Sequence, residues 1–167
     1  MSIIAKDSKR EYEPAPEGLH QAVCVDVVDL GIVDGNFGPR HKVRIYWQLE
    51  VKDETGKPFL VQKQYTLSLN EKANLRKDLE TWRGAKFRPE ELQGFDLEKL
   101  IGVNCQVQLI HNIRDESTYA NVQAVIGAPK GVARLHPVDY VRRQDRDKQQ
   151  GTGNGNGGEV EDEIVPF

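Results

Sequence analysis

Apolar and polar residues alternate along much of the chain between Gly18 and Gly131, and the pattern predicts strands more often than helices. In residues 41–51 every second position from 43 onward is valine, isoleucine, tryptophan or leucine. This is the period of a strand with one buried face. Glycine, proline and aspartate predict a loop at 31–39 and a hairpin turn at 53–58. Further apolar runs predict strands at 19–30, 59–67, 104–110 and 119–126.

One principal helix is predicted after the third strand. Ser68 and Glu71 have the spacing of a capping box, and Gly84 supplies a stop signal. The apolar positions between them recur at helical spacing, at Leu75, Leu79 and Trp82. A short second helix is predicted at 89–93 and a further turn at 97–101.

The order strand, strand, strand, helix, strand, strand is that of an OB-fold, a small five-stranded barrel. A five-stranded sheet covered by one helix would give the same order. The length of the first strand, which could coil and pair twice, favours the barrel. We therefore predict four regions: an N-terminal extension (1–17), an OB-fold domain (18–141), a flexible glycine-rich linker (142–158) and an acidic tip (159–167).

Composition narrows the protein class. The chain has 167 residues, of which 38% are hydrophobic, enough for one domain with a real core. No run approaches the roughly 20 apolar residues of a membrane span, and the charged N-terminus does not resemble a signal peptide. Cys24 and Cys105 are far apart and form no metal-binding pair. We expect no secretion, no membrane insertion, no structural metal and no cofactor.

Charge is distributed unevenly. The net charge is -3, and the last nine residues hold four acids and no base. Without them the chain has 22 acidic and 23 basic residues. The acidic total therefore does not argue against an anionic partner.

The polar face of residues 41–51 is the main candidate binding surface. Lys42, Arg44 and Tyr46 should project together, near Arg40 and Phe37 of the preceding loop. Single-stranded nucleic acid is bound by cations that follow the phosphates and by rings on which bases stack. An ordinary solvated strand face would show the same pattern, so both interpretations stay open. Trp47 has the opposite parity and is predicted to lie in the core.

Weaker candidates lie on other elements. Lys63 and Tyr65 share a parity in the third strand and could face either DNA or the barrel rim. Lys57 belongs to the predicted hairpin turn, and Arg114 and Tyr119 flank a later one. The charged residues after 141 are interpreted as a solvated segment, because acids dilute the arginines there.

The last residues form the most specific motif. Glu161, Asp162 and Glu163 precede Ile164, Val165, Pro166 and Phe167, so a glycine-rich linker ends on an aromatic residue with a free carboxylate. An acidic solubility tail would explain the acids but not the apolar end. We interpret the tip as a peptide that docks on a basic, apolar pocket of a partner.

This tip resembles the C-terminal end of bacterial single-stranded-DNA-binding proteins, and the whole chain is similar to phage-type members of that group. Residues that carry the resemblance in the body include 28–31, 37–38, 41–45, 65–69 and 71–73. The resemblance implies an OB-fold that coats single-stranded DNA without sequence specificity, inside the cytoplasm of a bacterial host. It implies that the tip recruits replication, recombination and repair enzymes. A homodimer is left open. Val165, inserted between Ile164 and Pro166, departs from the family pattern.

Two other functions compete with this one. Glu50 and Lys52, together with Asp26, Asp29 or Asp34, could mimic the carboxylates and lysine of a Mg²⁺-dependent nuclease. The chain could also be a recombination mediator or adaptor that uses the tip but binds DNA weakly. No phosphate-binding GxxxxGK[ST] motif is present, so we expect no ATP-driven motor and no catalytic residues.

Overall fold

The computed structural model describes residues 13–146, so residues 1–12, most of the predicted linker and the whole predicted tip lie outside it. The fold is mainly β, with few helices. Two short 3-10 helices, Glu91–Gln93 and Leu97–Leu100, precede the fourth strand. The other elements are β1 (Gly18–Gly35), β2 (Gly38–Lys52), β3 (Pro58–Thr66), α1 (Asn74–Arg83), β4 (Asn104–Arg114), β5 (Ser117–Gly127) and α2 (Arg143–Arg146).

The five strands form one antiparallel sheet in the order β3-β2-β1-β4-β5. β1 pairs with β2 from Ala22 onward and with β4 over Gly18–Val23, which confirms that the first strand pairs twice. Bulges after Cys24 and Asp29 let it bend between its partners. The sheet is open: within residues 13–146 the edge strands β3 and β5 approach each other but form no ladder. The predicted closed barrel is therefore not formed.

Two hairpins are longer than the sequence analysis predicts. β1 and β2 continue their ladder to Gly35 and Gly38, so the predicted loop at 31–39 is wrong. Gly31 lies at a bulge and Gly38 follows the hairpin tip, and both have positive φ angles, of 69° and 92°. The tip of this arm is Asn36-Phe37. β4 and β5 end in a similar tight turn, in which two non-glycine residues have positive φ.

The core lies between the inner face of the sheet and α1. Trp47 is fully buried, as predicted, and its ring lies 6.0 Å from that of Trp82 on α1. Leu75 and Leu79 are also buried, and Gly84 ends the helix in the left-handed conformation. The predicted capping box is wrong, because α1 begins only at Asn74. The Ser68 hydroxyl accepts a hydrogen bond from the Asn70 N–H in the preceding loop and does not cap the helix.

The chain after β5 folds back over the outer face of the sheet. We call residues 133–146 the strap. Its backbone is held by side-chain amides: Gln48 exchanges two 2.8 Å hydrogen bonds with Val138, and Asn104 exchanges two with Leu135. Below the strap lies a second small apolar cluster, formed by Val23, Val25 and Tyr46 and flanked by Val28, Leu135 and Tyr140. The folded body therefore extends past 141, where the sequence analysis placed the start of the linker.

Asp26 anchors the end of the strap. Its side chain is about 1% exposed and accepts hydrogen bonds from the Tyr140 hydroxyl, the Arg142 guanidinium and the Arg143 backbone N–H. Arg142 also donates to Glu98, so it bridges two carboxylates. Burial alone would raise the pKa of Asp26, but these donors outweigh it and hold the pKa below its usual range.

We predict that Asp26→Asn destabilises the protein at pH 7 by about 2–4 kcal/mol, because it leaves Arg142 with less compensation in a buried site. A carboxyl whose folded pKa is lowered stabilises the fold above about pH 4, and this contribution is lost as the pH falls through the folded value. Urea unfolding at pH 7 and at pH 3 measures both effects, and the difference between variant and wild type should shrink at pH 3. Asp34→Asn, at an exposed position of β1, is the matched control and should change stability by less than about 0.5 kcal/mol.

Candidate nucleic-acid interface

Three cations line the outer face of β2 beside the strap. Arg40, Lys42 and Arg44 alternate along the strand, and we call them the basic stripe. Within residues 13–146, none of the three takes part in an ion pair. Lys42 donates to the Thr66 hydroxyl at 2.7 Å, and Arg44 donates to the Gln64 amide oxygen at 3.3 Å. These neutral partners orient the cations without cancelling their charge.

The register of the sheet explains why carboxylates stay away from the stripe. Residues directly opposite each other share a face, and the outer face of β3 opposite the stripe carries Thr66 and Gln64. On β1, Asp29 is opposite the inward-facing Val43 and is paired with His41 at 2.6 Å. Asp26 is opposite Tyr46 on the outer face, but the strap compensates its charge. The stripe is therefore a local concentration of positive charge on a nearly neutral body.

A concave region adjoins the stripe where β3 runs into α1. We call it the basic cleft, and its volume is about 480 Å³. Arg40 and Lys42 belong to both the stripe and the cleft, and Lys72 adds a third cation. The remaining lining residues are polar or small, apart from Tyr65: Gln64, Tyr65, Thr66, Ser68, Asn70, Ala73 and Asn74.

Tyr46 is not a free stacking platform. The strap covers its ring, which is only about 5% exposed, and packs it against the second apolar cluster. Arg143 of the strap lies over the ring, with its guanidinium carbon 5.7 Å from the ring centroid. The parity predicted from the sequence is correct, but the prediction that this side chain projects into solvent is wrong. The cause is the strap, a segment about 90 residues away along the chain.

Lys63 and Tyr65 are occupied inside the fold. Both donate to the carboxylate of Asp78 on α1, at 2.7 Å and 2.6 Å, and tie β3 to the helix. Burial, together with the charge and hydrogen bond of Asp78, raises the pKa of the Tyr65 hydroxyl well above its usual range. Of the two options left open by the sequence, the structure places both side chains against α1 on the inner side of the sheet, although Tyr65 also lines the basic cleft.

The remaining candidates are spread over the molecule. Phe37 is at the tip of the β1–β2 arm and is 89% exposed, close along the strand to Arg40. Lys57 lies at the opposite end of β2, roughly 30 Å of strand from the stripe. Arg114 and Tyr119 lie on the β4–β5 arm, on strands that are two and three positions away from β2 in the sheet. Tyr119 is half exposed, so its ring is accessible, although apart from the stripe.

Two cations beside the stripe, Lys72 and Arg143, were not predicted from the sequence as binding residues. Lys72 lies in the loop before α1 and joins the cleft only because that loop folds against β2. Arg143 was assigned to a solvated segment but is brought over Tyr46 by the strap. The signal for the strap was present in Gln21, Gln48 and Asn104, amide side chains on the sheet, each of which bonds to strap backbone.

Comparison with known proteins does not assign this chain to a family. No protein-family model matches the sequence, and no curated protein matches it. Of the helices in residues 13–146, none is long and apolar enough to cross a membrane. The resemblance to single-stranded-DNA-binding proteins therefore stays a prediction, supported by the residues quoted for it.

We predict that Tyr46→Ala lowers the free energy of unfolding by about 3 kcal/mol, because it empties the space below the strap. Phe37→Ala, which removes another aromatic ring from the same hairpin, should change it by less than about 0.5 kcal/mol because Phe37 is exposed. Chemical denaturation of both variants measures this contrast. Equal stability of the two variants would show that the strap does not pack on Tyr46.

Proposed function

We propose that this protein binds single-stranded DNA without sequence readout, along the basic stripe on the open part of the outer sheet face. The observation that carries the proposal is the stripe itself: three neighbouring cations without an ion pair within residues 13–146, two of which, Lys42 and Arg44, are oriented by neutral hydrogen-bond partners. Such an arrangement costs self-repulsion, and the phosphates of a nucleic-acid strand relieve it while releasing counterions.

Base stacking is the second part of the proposed binding mode. Phe37 offers an almost fully exposed ring on the same arm as Arg40, and Tyr119 offers a half-exposed ring on the other arm. Stacking on an aromatic side chain contributes about 1–3 kcal/mol per base and tolerates every base. Exposed aromatic residues on hairpin arms fit a strand that is bound without reading its sequence.

The open sheet is consistent with an OB-type domain. An OB-fold is a five-stranded, partly open Greek-key barrel that binds oligonucleotides on the face of its second and third strands and on its β1–β2 and β4–β5 loops. Here β1 bends between β2 and β4, and α1 packs against both edge strands. The stripe lies on the face of β2 and β3. We propose OB ancestry on this basis.

The nuclease alternative has less support. Among residues 13–146, no three histidine, cysteine, aspartate or glutamate side chains lie close enough together to hold a metal ion. Asp26, one of the carboxylates considered with Glu50 and Lys52, is taken up by the strap. We therefore propose a binding protein and not an enzyme.

The tip completes the proposal and rests on the sequence alone. Its acids and its terminal Pro166-Phe167 would be held by a basic, apolar pocket of a replication, recombination or repair enzyme. The proposed division of labour is a folded body that binds DNA and a terminal peptide that recruits enzymes.

Fluorescence anisotropy with oligo(dT) tests the stripe. We predict tighter binding to single strands than to duplex of the same length, with an affinity that falls as salt increases. The triple variant Arg40→Gln/Lys42→Gln/Arg44→Gln should reduce the salt slope by about 2, from three contacts at about 0.7 each. Lys52→Gln/Lys86→Gln/Lys130→Gln changes the charge equally at exposed sites elsewhere and should leave the slope close to wild type. If the two triple variants changed the salt slope equally, DNA binding would depend on net charge alone and not on the stripe.

Deleting residues 159–167 tests the tip. We predict that the shortened protein binds oligo(dT) at least as tightly as the full chain, because an acidic segment is removed. It should lose binding to a bacterial exonuclease that recognises single-stranded-DNA-binding-protein tails. Phe167→Ala should lose most of that binding and Val160→Ala should retain it, as measured by calorimetry. Loss of DNA binding on deletion would contradict the separate roles of body and tip.

A further inference from the structure

We propose that the basic cleft binds the terminal phosphate of a DNA strand, so that the protein prefers strand ends that carry a phosphomonoester. The proposal rests on the function proposed above and assigns a distinct role to the concave end of the same surface. It differs from backbone binding because it depends on a chemical group that occurs only at strand ends.

The charge of the cleft favours a terminal phosphate. Arg40, Lys42 and Lys72 surround one space of about 480 Å³, and no carboxylate is among its ten lining residues, all of which belong to the described range. A phosphodiester carries one negative charge, whereas a terminal phosphomonoester carries about -1.5 to -2 at pH 7 and three acceptor oxygens. Three cations around one concave space match the second group better.

Neutral hydrogen-bond donors also line the cleft. Ser68 and Asn70 line the cleft with hydroxyl and amide groups. α1 also begins in its wall, at Asn74, with no side-chain cap and no acidic residue in its first turn. The amide N–H groups of that turn therefore have no capping side chain and add donors to those of the three cations.

The position of the cleft suits the end of a bound strand. Arg40 and Lys42 line both the stripe and the cleft, so the two sites are continuous, while Arg44 belongs to the stripe alone. The cleft is lined by the end of β3 and by the loop that leads into α1. A strand on the stripe can therefore place its end in the cleft without leaving the sheet.

The experiment compares three oligo(dT) strands of equal length, with a 5′-phosphate, a 3′-phosphate or no terminal phosphate, by anisotropy at one salt concentration. For at least one phosphorylated end we expect binding about three- to tenfold tighter than for the unmodified strand. Lys72→Gln should bring this ratio close to one. Lys77→Gln, an equal charge change at an exposed site on α1 outside the cleft, should preserve it. Arg44→Gln should weaken binding to all three strands and leave the ratio unchanged.

The measured quantity is the ratio of the affinities for the phosphorylated and the unmodified strand. A variant that binds all strands more weakly therefore leaves this ratio unchanged. A wild-type ratio near one with normal oligo(dT) binding would overturn the cleft assignment alone, and so would a ratio that Lys72→Gln does not change. Failure to bind any of the three strands would overturn the proposed function as well. A free phosphate or a nucleotide carries the same phosphomonoester as a strand end. Competition with inorganic phosphate and with thymidine monophosphate tests whether the cleft binds these free compounds instead. If either removes the preference at concentrations equal to the oligonucleotide, the cleft binds free phosphates and the strand-end proposal is wrong.

Discussion

Asp26 is buried between β1 and the end of the strap, where it accepts hydrogen bonds from Tyr140, Arg142 and the Arg143 backbone. A buried carboxylate is tolerated only when such partners compensate for its lost hydration. Here the hydrogen-bond donors to Asp26 all come from residues 140–143. Compensation of this one carboxylate on β1 therefore holds the end of the strap against the sheet. The strap then covers Tyr46 and Gln48 on β2 and leaves Arg40, Lys42 and Arg44 outside its edge. Together with the amide side chains of Gln21, Gln48 and Asn104, which hold residues 133–138, this interaction divides the outer sheet face into a covered half and an open half.

The division also decides which polar side chains have a structural role. Gln48 and Asn104 hold the strap backbone, and Lys63 and Tyr65 hold α1 through Asp78. Lys42 and Arg44 of the stripe bond to neutral groups, so their charge remains available to an anion. What marks this face is the arrangement of three cations at alternate positions of one strand, with no ion pair formed by any of them within residues 13–146.

Local pattern predicted much of the fold. The alternation in β2 correctly separated the core residue Trp47 from the outward-facing Arg44, because strand geometry alone sets which face a side chain takes. It failed for Tyr46, because the burial of an outward-facing side chain depends on what another segment places on it. The loop predicted at 31–39 failed for a related reason: glycine marks a bulge as readily as a strand end. The predicted start of α1 was wrong because the Ser68 hydroxyl accepts a hydrogen bond from the nearby Asn70 N–H and does not cap the helix.

The account can be tested most directly by mapping backbone amide chemical shifts during titration of the isotopically labelled full-length protein with oligo(dT). The account predicts that the largest shift changes fall on residues 37–44 of the β1–β2 arm and on residues 64–66 of β3. Amides of residues 21–26 and of the strap at 133–140 should change little, because the strap stays in place when DNA binds. Large changes confined to the strap and to the sheet below it, with none along Arg40 to Arg44, would contradict the division of the face on which this account depends.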